Sequence, residues 1–343
     1  MTGQLGRKTV AVLAGLFVAL LTLEVALRVR GDYEREVYDA VYQVPSRCHD
    51  EIPYVLKANL ANARGRGLAL LSTDSLGLRS NAVGTTYAAK KVGEFRIGIA
   101  GDSVTFGEGV WLNEDTYAQV LQRALRERWP SRQTIVFNYG VSAYSVQQMA
   151  ATLECRMLEV EPDLVVMALL APDLDLRRLP RRLDHDGHFR SIGWGLGPTA
   201  TFLLDPLRNL RVPYWVRWTL FPRAVTLSPE IRARIRRDEV PDSYRYVRRF
   251  RDFAVARHVP YVVVVLPWLG PSERLVSQLR DDRMVSVDLS GIRAEFTREQ
   301  FRASRFDNHP SVAVHRRIGE ELSRALDEMF GDEGRDSQTG GRR

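Results

Sequence analysis

Apolar and polar residues divide the chain into four stretches. The first, "TVAVLAGLFVALLTLEVALRV" from Thr9 to Val29, is almost unbroken apolar sequence, about the ~20 residues a helix needs to cross a bilayer. Residues 31–92 are polar and loop-rich. They include "STDSLGLRSN" (Ser72–Asn81), where Gly77 lies between apolar residues like the turn of a short hairpin. From 93 to about 330, short apolar runs alternate with stretches of helical period. Residues 331–343, "GDEGRDSQTGGRR", are polar and Gly-rich and read as a disordered tail.

Five runs in the third stretch read as strands: "FRIGIA", "TIVFNYG", "PDLVVMALLA", "VPYVVVVLPW" and "MVSVDLS". The third barely alternates, as expected of a strand covered on both faces. Helical patterns lie between them. In "DTYAQVLQRALRERW", Tyr117, Leu121, Leu125 and Trp129 recur every four residues. "YSVQQMAATLECRMLEV", "YRYVRRFRDFAVARH" and "SVAVHRRIGEELSRALDEMF" read likewise. This β-α-β-α order predicts an α/β domain with a parallel sheet and helices on both faces. Between Asp175 and about Val240 the alternation stops. That stretch is too long for a simple connection and reads as a lid or surface insertion. Its Trp194, Trp215, Trp218 and Phe221 line a pocket, touch the membrane or pack an accessory mini-core.

Charge and cysteines narrow the function classes. The net charge of +7 comes largely from Arg, but the basic residues are interleaved with Asp and Glu. No zinc finger, basic helix or RNA-reading aromatic motif stands out, so nucleic acid is not an expected partner. Cys48 and Cys155 lack metal-binding spacing. Two separate buried thiols are expected, ahead of one bridge formed in an oxidising compartment. Arg7 and Lys8 precede the apolar run, and no Cys directly follows it, which excludes a lipoprotein anchor. Glu24, Arg28 and Arg30 stand where a cleavage site should be, favouring a retained signal-anchor over a cleaved signal. Arg28 and Arg30 compete with Arg7 and Lys8, so charge alone does not orient the span. A long domain after a short basic start is expected outside the cytoplasmic membrane, in the periplasm, as a single-pass protein. Glu24 is expected to reach the interface or pair with an Arg there. The expected plan is a cytoplasmic tip and anchor at 1–30, an approach segment at 31–92, a domain at 93–330 with an insertion at 175–240, and the tail.

The candidate chemistry sits at strand ends. "RIGIAGDSVTFGEGV", residues 96–110, runs from a strand through a sharp turn into a helix. That context holds a serine exposed at the carboxyl edge of a sheet, though an ordinary loop with an Asp or Ser cap has the same look. Acyl transfer by serine needs a base, an acid that orients the base, and N–H donors for the oxyanion. Ser103 is the candidate nucleophile, and "FDNHPS" supplies His309 as base and Asp307 as acid. An Asp two residues from its His can reach Nδ1 and leave Nε2 for the serine. The N–H groups of Ser103 and of Gly140, in "NYGVSAYS", are the expected oxyanion donors at exposed turns. "DHDGH" (Asp184, His185, Asp186, His188) resembles a metal cluster but reads as a solvated loop, and no metal or cofactor is expected. His315, six residues after His309, points elsewhere, and His258 reads as a helix-end residue.

"GDSVTFG", the Gly140 loop and "DNHPS", in this order, resemble the SGNH, or GDSL-type, serine hydrolase superfamily. "STDSLGLRSN" followed by "FRIGIAGDSVTFGEGV" is similar to its membrane-anchored bacterial branch. The resemblance spans roughly Ser72 to Met329. It implies a three-layer α/β/α fold with a five-stranded parallel sheet. It also implies esterase, lipase or carbohydrate deacetylase chemistry without metal, or acyl transfer in some envelope members. Ser103, Gly140, Asp307 and His309 match its motif positions. Where the family has a Gly-x-Asn-Asp-like turn after the third strand, this chain has "LLAPDLD", with Pro172 in the place of the Asn. Proline offers neither a side-chain amide nor an N–H, and an ionised Asp173 has no proton to donate. The Asp–His spacing is also one residue shorter than the family's usual Asp-x-x-His. The expectation is a membrane-anchored esterase acting on acyl esters, with O-acylated envelope glycans as a reasonable substrate. An O-acyltransferase using the same acyl-enzyme, or a catalytically weak glycan-binding protein on this scaffold, are the alternatives.

Overall fold

The computed structural model describes residues 2–30, 41–43, 47–48, 50–64, 70–87, 89–174, 176, 212, 240–268, 272–304 and 307–331. Trp194, Trp215, Trp218, Phe221, the Asp184–His188 cluster and, of the tail expected to be disordered, residues 332–343 lie outside them. Two compact units make up the chain: Met1–Ala40 with Asp184–Thr226, and Val41–Leu183 with Leu227–Arg343.

In the first unit, α1 runs from Thr2 to Arg30. Its segment Arg7–Leu27, with mean hydropathy 2.5, is long and apolar enough to cross a membrane. Leu16, Phe17 and Val18 are exposed. Glu24 is buried and accepts the N–H of Val212 at 3.0 Å, so an amide from the insertion meets the helix there.

The second unit is built on five parallel strands: β1 (Glu94–Gly101), β2 (Gln133–Asn138), β3 (Leu164–Leu169), β4 (Tyr261–Val265) and β5 (Ser286–Asp288). Their spatial order is β2-β1-β3-β4-β5. Ile97 of β1 lies level with Val136 and Leu164, and Met167 of β3 with Val263. The helices are α2 (Ser103–Phe106), α3 (Tyr117–Arg128), α4 (Val146–Cys155), α5 (Arg245–Ala256), α6 (Glu273–Asp281), α7 (Arg298–Phe301) and α8 (Val312–Phe330). Successive strand residues feed opposite cores. Ile97, Ile99, Val166 and Val264 pack with Tyr117, Leu121 and Leu125 of α3 and with Ile318 and Leu322 of α8. Val165, Met167, Val263 and Val265 pack with Met149 of α4, Phe250 of α5 and Leu275 of α6. Every residue of β3 is buried, which accounts for its lack of alternation. This is the three-layer α/β/α arrangement expected. The helix α6 was not expected, but two parallel strands need a crossover and Leu275 and Leu279 close it against the sheet.

Residues 41–87 join this unit. Two short antiparallel pairs, Tyr42–Gln43 with Val55–Leu56 and Ala63–Arg64 with Leu70–Leu71, precede a turn at Gly77 bridged by Thr73 and Arg79. Asp74 Oδ1 accepts the N–H groups of Leu76 and Leu78 and closes that turn. The cysteines correct the expectation of separate thiols. Cys48 and Cys155 form a disulfide, with Cα atoms 6.4 Å apart. The fold lays the approach segment on the carboxyl end of α4, where Arg249 also bridges Glu51 and Glu154. Residues 107 positions apart thereby become neighbours.

Candidate active site

The serine loop begins where β1 leaves the sheet. Asp102 caps α2, its Oδ1 accepting the N–H of Val104 at 2.9 Å, and Gly107 ends that helix in a left-handed conformation. Ser103 is thus the first residue of a one-turn helix at the carboxyl edge of the sheet. Its own N–H donates to no protein acceptor among the described residues.

The other two residues arrive from the far end of the chain. Thr297 and Gln300 form a capping box on α7. An antiparallel hairpin follows, Arg302–Ser304 with Asp307–Pro310, before Ser311 opens α8. Ser311 ties the hairpin back, its N–H donating to Phe301 O at 2.7 Å and its hydroxyl to Gln300 O at 2.7 Å. This places His309 Nε2 3.0 Å from Ser103 Oγ, across a sequence separation of 206. Asp307 Oδ1 lies 2.6 Å from His309 Nδ1 and also accepts the His309 N–H at 3.0 Å. A carboxylate there requires the proton on Nδ1, which leaves the Nε2 lone pair facing the serine. Gly109 permits this approach. At φ +86, a Cβ on it would stand 2.6 Å from Ala303 Cβ and 3.2 Å from Asp307 Oδ2.

Two residues not singled out from sequence belong to the same site. Glu108 is buried between Gly107 and Gly109, its Oε2 3.8 Å from His309 Nε2 and 2.7 Å from the donating Ser142 Oγ. Arg79, from the Gly77 turn, is also buried. It donates to the carbonyls of Phe106, Gly107 and Val110 and to Asn113 Oδ1, fixing the loop that carries Glu108. Burial pulls its guanidinium down to about 10, with the negative charges of Glu108 and Glu114 among the groups opposing the shift. The glycines flanking Glu108 were the available signal.

Gly140 does not sit as expected. It is buried rather than at an exposed turn, and its N–H donates to Asn138 Oδ1 at 2.9 Å. A Cβ there would fall 2.3 Å from the Phe106 nitrogen, so this glycine serves close packing of the β2 loop on α2. Three residues on, Ala143 adopts φ +67 beside Ser142, and its N–H donates to no protein acceptor among the described residues. Pro172 is buried in the turn after β3, and Asp173 Oδ2 accepts the Leu170 N–H at 2.8 Å. That carboxylate braces its own turn. His315 is buried against Tyr117, and His258 closes the turn after α5, its N–H donating to Val255 O.

The model of the GDSL-like Lipase/Acylhydrolase family matches residues 99–317. Solved structures resemble the chain at low identity. A catalytic mutant of an acetylxylan esterase from Geobacillus stearothermophilus is 15% identical, over 72% of this chain and 97% of that one, with a TM-score of 0.39. A two-domain esterase active on acetylated mannans is 13% identical, over 70% of this chain and 50% of that one, with a TM-score of 0.41. TesA is 14% identical, over 68% of this chain and 99% of that one, with a TM-score of 0.43. At such identities and scores they add nothing to the family match. No curated protein matches the chain.

Proposed function

The chain belongs to the GDSL-like lipase/acylhydrolase family, and on that premise we propose that Ser103, His309 and Asp307 cleave acyl esters through an acyl-enzyme. One observation carries the reading: an unbroken relay from Ser103 Oγ to His309 Nε2 at 3.0 Å and from His309 Nδ1 to Asp307 Oδ1 at 2.6 Å. Ser103 Oγ attacks the ester carbon while its proton passes to Nε2. Asp307 holds the Nδ1 proton and stabilises the imidazolium that results. The tetrahedral intermediate collapses as Nε2 returns the proton to the departing alcohol. Water then attacks the acyl-serine, giving its proton to Nε2, and the acid leaves with Ser103 restored. The Ser103 N–H is one donor to the oxyanion. The Gly140 N–H, the expected second donor, is committed to Asn138 Oδ1.

Fluorophosphonate labelling of the full chain tests this. Label is expected on Ser103 and lost in Ser103→Ala, and a wild-type chain that takes no label refutes the assignment. Pro172 favours one second reading, a weakly catalytic glycan-binding protein, and the same experiment separates the two.

The placement of the site outside the cytoplasm, on a chain anchored through Arg7–Leu27 as in the membrane-anchored bacterial branch, belongs to the same proposal. The apolar helix supports the anchor. The Cys48–Cys155 disulfide supports the oxidising side of the membrane, because cytosolic thiols are kept reduced.

A further inference from the structure

Asp307 accounts for one nitrogen of His309, and a second carboxylate stands by the other. Glu108 Oε2 lies 3.8 Å from Nε2, with its side chain 9% exposed. The proton relay described above does not use it. Its place is fixed from three sides. Gly107 and Gly109, both left-handed, flank it. Arg79 donates to the carbonyls of Phe106, Gly107 and Val110 and so holds the loop. Ser142 Oγ donates to Glu108 Oε2 at 2.7 Å, and Ser142 is itself held, its carbonyl accepting the Tyr54 hydroxyl at 2.7 Å.

At 3.8 Å this carboxylate is outside hydrogen-bond reach of Nε2, and the Ser103 hydroxyl at 3.0 Å keeps that place. Its charge still acts over such a distance. While the ring is neutral, the Nε2 lone pair faces a negative charge. Once the serine's proton arrives, the imidazolium lies between two carboxylates, Asp307 on Nδ1 and Glu108 near Nε2. Both effects favour the proton on the ring, whichever half of the substrate lies on that side.

Other groups around the ring reduce this preference without reversing it. Arg79, from the Gly77 turn, carries the opposing charge and is itself attracted to Glu108. His315, on α8, is kept neutral by burial, which lowers it to about 3, and adds no charge. Asp102, the cap of α2, stands 3.4 Å from Ser103 Oγ and acts in the same direction as Glu108. Among the described residues, three carboxylates thus meet one guanidinium around His309.

We propose that Glu108 is a positioning residue for acyl transfer, its fixed carboxylate favouring the charged form of His309 through which the serine's proton passes. This rests on the reading of Ser103, His309 and Asp307 as an ester-cleaving triad. The test uses the full chain in detergent micelles, with p-nitrophenyl acetate turnover and the rate of fluorophosphonate labelling both followed from pH 5 to 8.5. The acid limb of kcat/KM reports the base in the free enzyme. Glu108→Gln, which keeps the shape, should move that limb about one pH unit lower. It should also lower kcat on the plateau about three- to tenfold with KM within twofold, because the neutral ring of the bound state needs no counter-charge. The labelling rate should show the same move, since it needs the same proton transfer. Glu108→Asp keeps the charge and should move the limb less than half as far. A Glu108→Gln variant that loses activity at every pH with its limb in place overturns the proposal, because the residue would then only hold the loop. A rise in kcat in that variant overturns it too, as does a limb in Glu108→Asp displaced as far as in Glu108→Gln. If Glu108→Gln does not fold, the wild-type limb decides: above the ordinary imidazole value of ~6.5 supports the proposal, and at or below it overturns it. A wild type that neither turns over the ester nor takes the label instead refutes the triad reading, and the role of Glu108 falls with it.

Discussion

Acid should destabilise this protein through His315. The ring is buried between α8 and α3, stacked on Tyr117 with centroids 5.9 Å apart, and its Nδ1 accepts the Tyr117 N–H at 3.2 Å. The proton therefore sits on Nε2, which has no hydrogen-bond partner among the described residues. Burial above all, with the positive charges of Arg79 and His309 behind it, lowers the pKa from 6.5 to about 3. In the unfolded chain the same imidazole titrates near ~6.5. Between those values the unfolded state binds a proton that the native state refuses. Stability from this residue is thus full above pH ~6.5 and is lost as pH falls toward 3. At about 1.4 kcal/mol per pH unit inside the window, moving from pH 8 to 5 costs about 2 kcal/mol, and the whole shift about 5 kcal/mol. Urea unfolding of the full chain in detergent at pH 8, 6.5 and 5, for wild type and His315→Asn, measures this. The Asn amide oxygen takes over the Tyr117 N–H. The variant should be less stable at pH 8 and should lose about 2 kcal/mol less than wild type on acidification to pH 5. Parallel pH profiles for the two proteins would refute the argument that His315 is held neutral.

Four further outcomes are expected. Ser103→Ala should abolish p-nitrophenyl acetate turnover with little change in Tm, and undiminished turnover would remove Ser103 as nucleophile. Pro172→Asn should raise kcat tenfold or more at similar KM, because one missing oxyanion donor typically costs ~10²–10³ in rate. No rise in a folded variant would mean that the hole is complete without that turn. Replacing both Cys48 and Cys155 by Ser opens a loop of sequence separation 107 and should lower unfolding free energy by about 2–5 kcal/mol, and a loss under about 0.5 kcal/mol in urea would mean no bridge forms. Full-length protein should stay with membranes through carbonate extraction with its carboxyl terminus open to periplasmic protease, and a soluble form lacking the first ~30 residues would indicate a cleaved signal.

Local pattern carried the sheet. The unalternating "LVVMAL" of β3 and the four-residue recurrence of Tyr117, Leu121 and Leu125 encode burial and period, which depend only on near neighbours in the chain. The motif around Ser103 was legible for the same reason, since Asp102 caps the turn two residues on and Gly107 ends it. Asp307 and His309 were legible as a pair because they are two residues apart. What crosses the chain was not. The 3.0 Å approach of His309 to Ser103 depends on β1 and the last hairpin meeting at one sheet edge. Cys48 meets Cys155 only because the approach segment lies on α4. The Gly140 N–H is claimed by Asn138, two residues away, a choice made by how the β2 loop packs on Thr105 and Phe106. Glu108 reads in sequence as one more charge between glycines. It becomes a neighbour of the histidine through the buried Arg79 and the hydroxyl of Ser142, contacts spanning 28 and 34 positions. Periodicity records which face of an element is covered, while the partner that covers it is chosen by contacts distant in sequence and close in space.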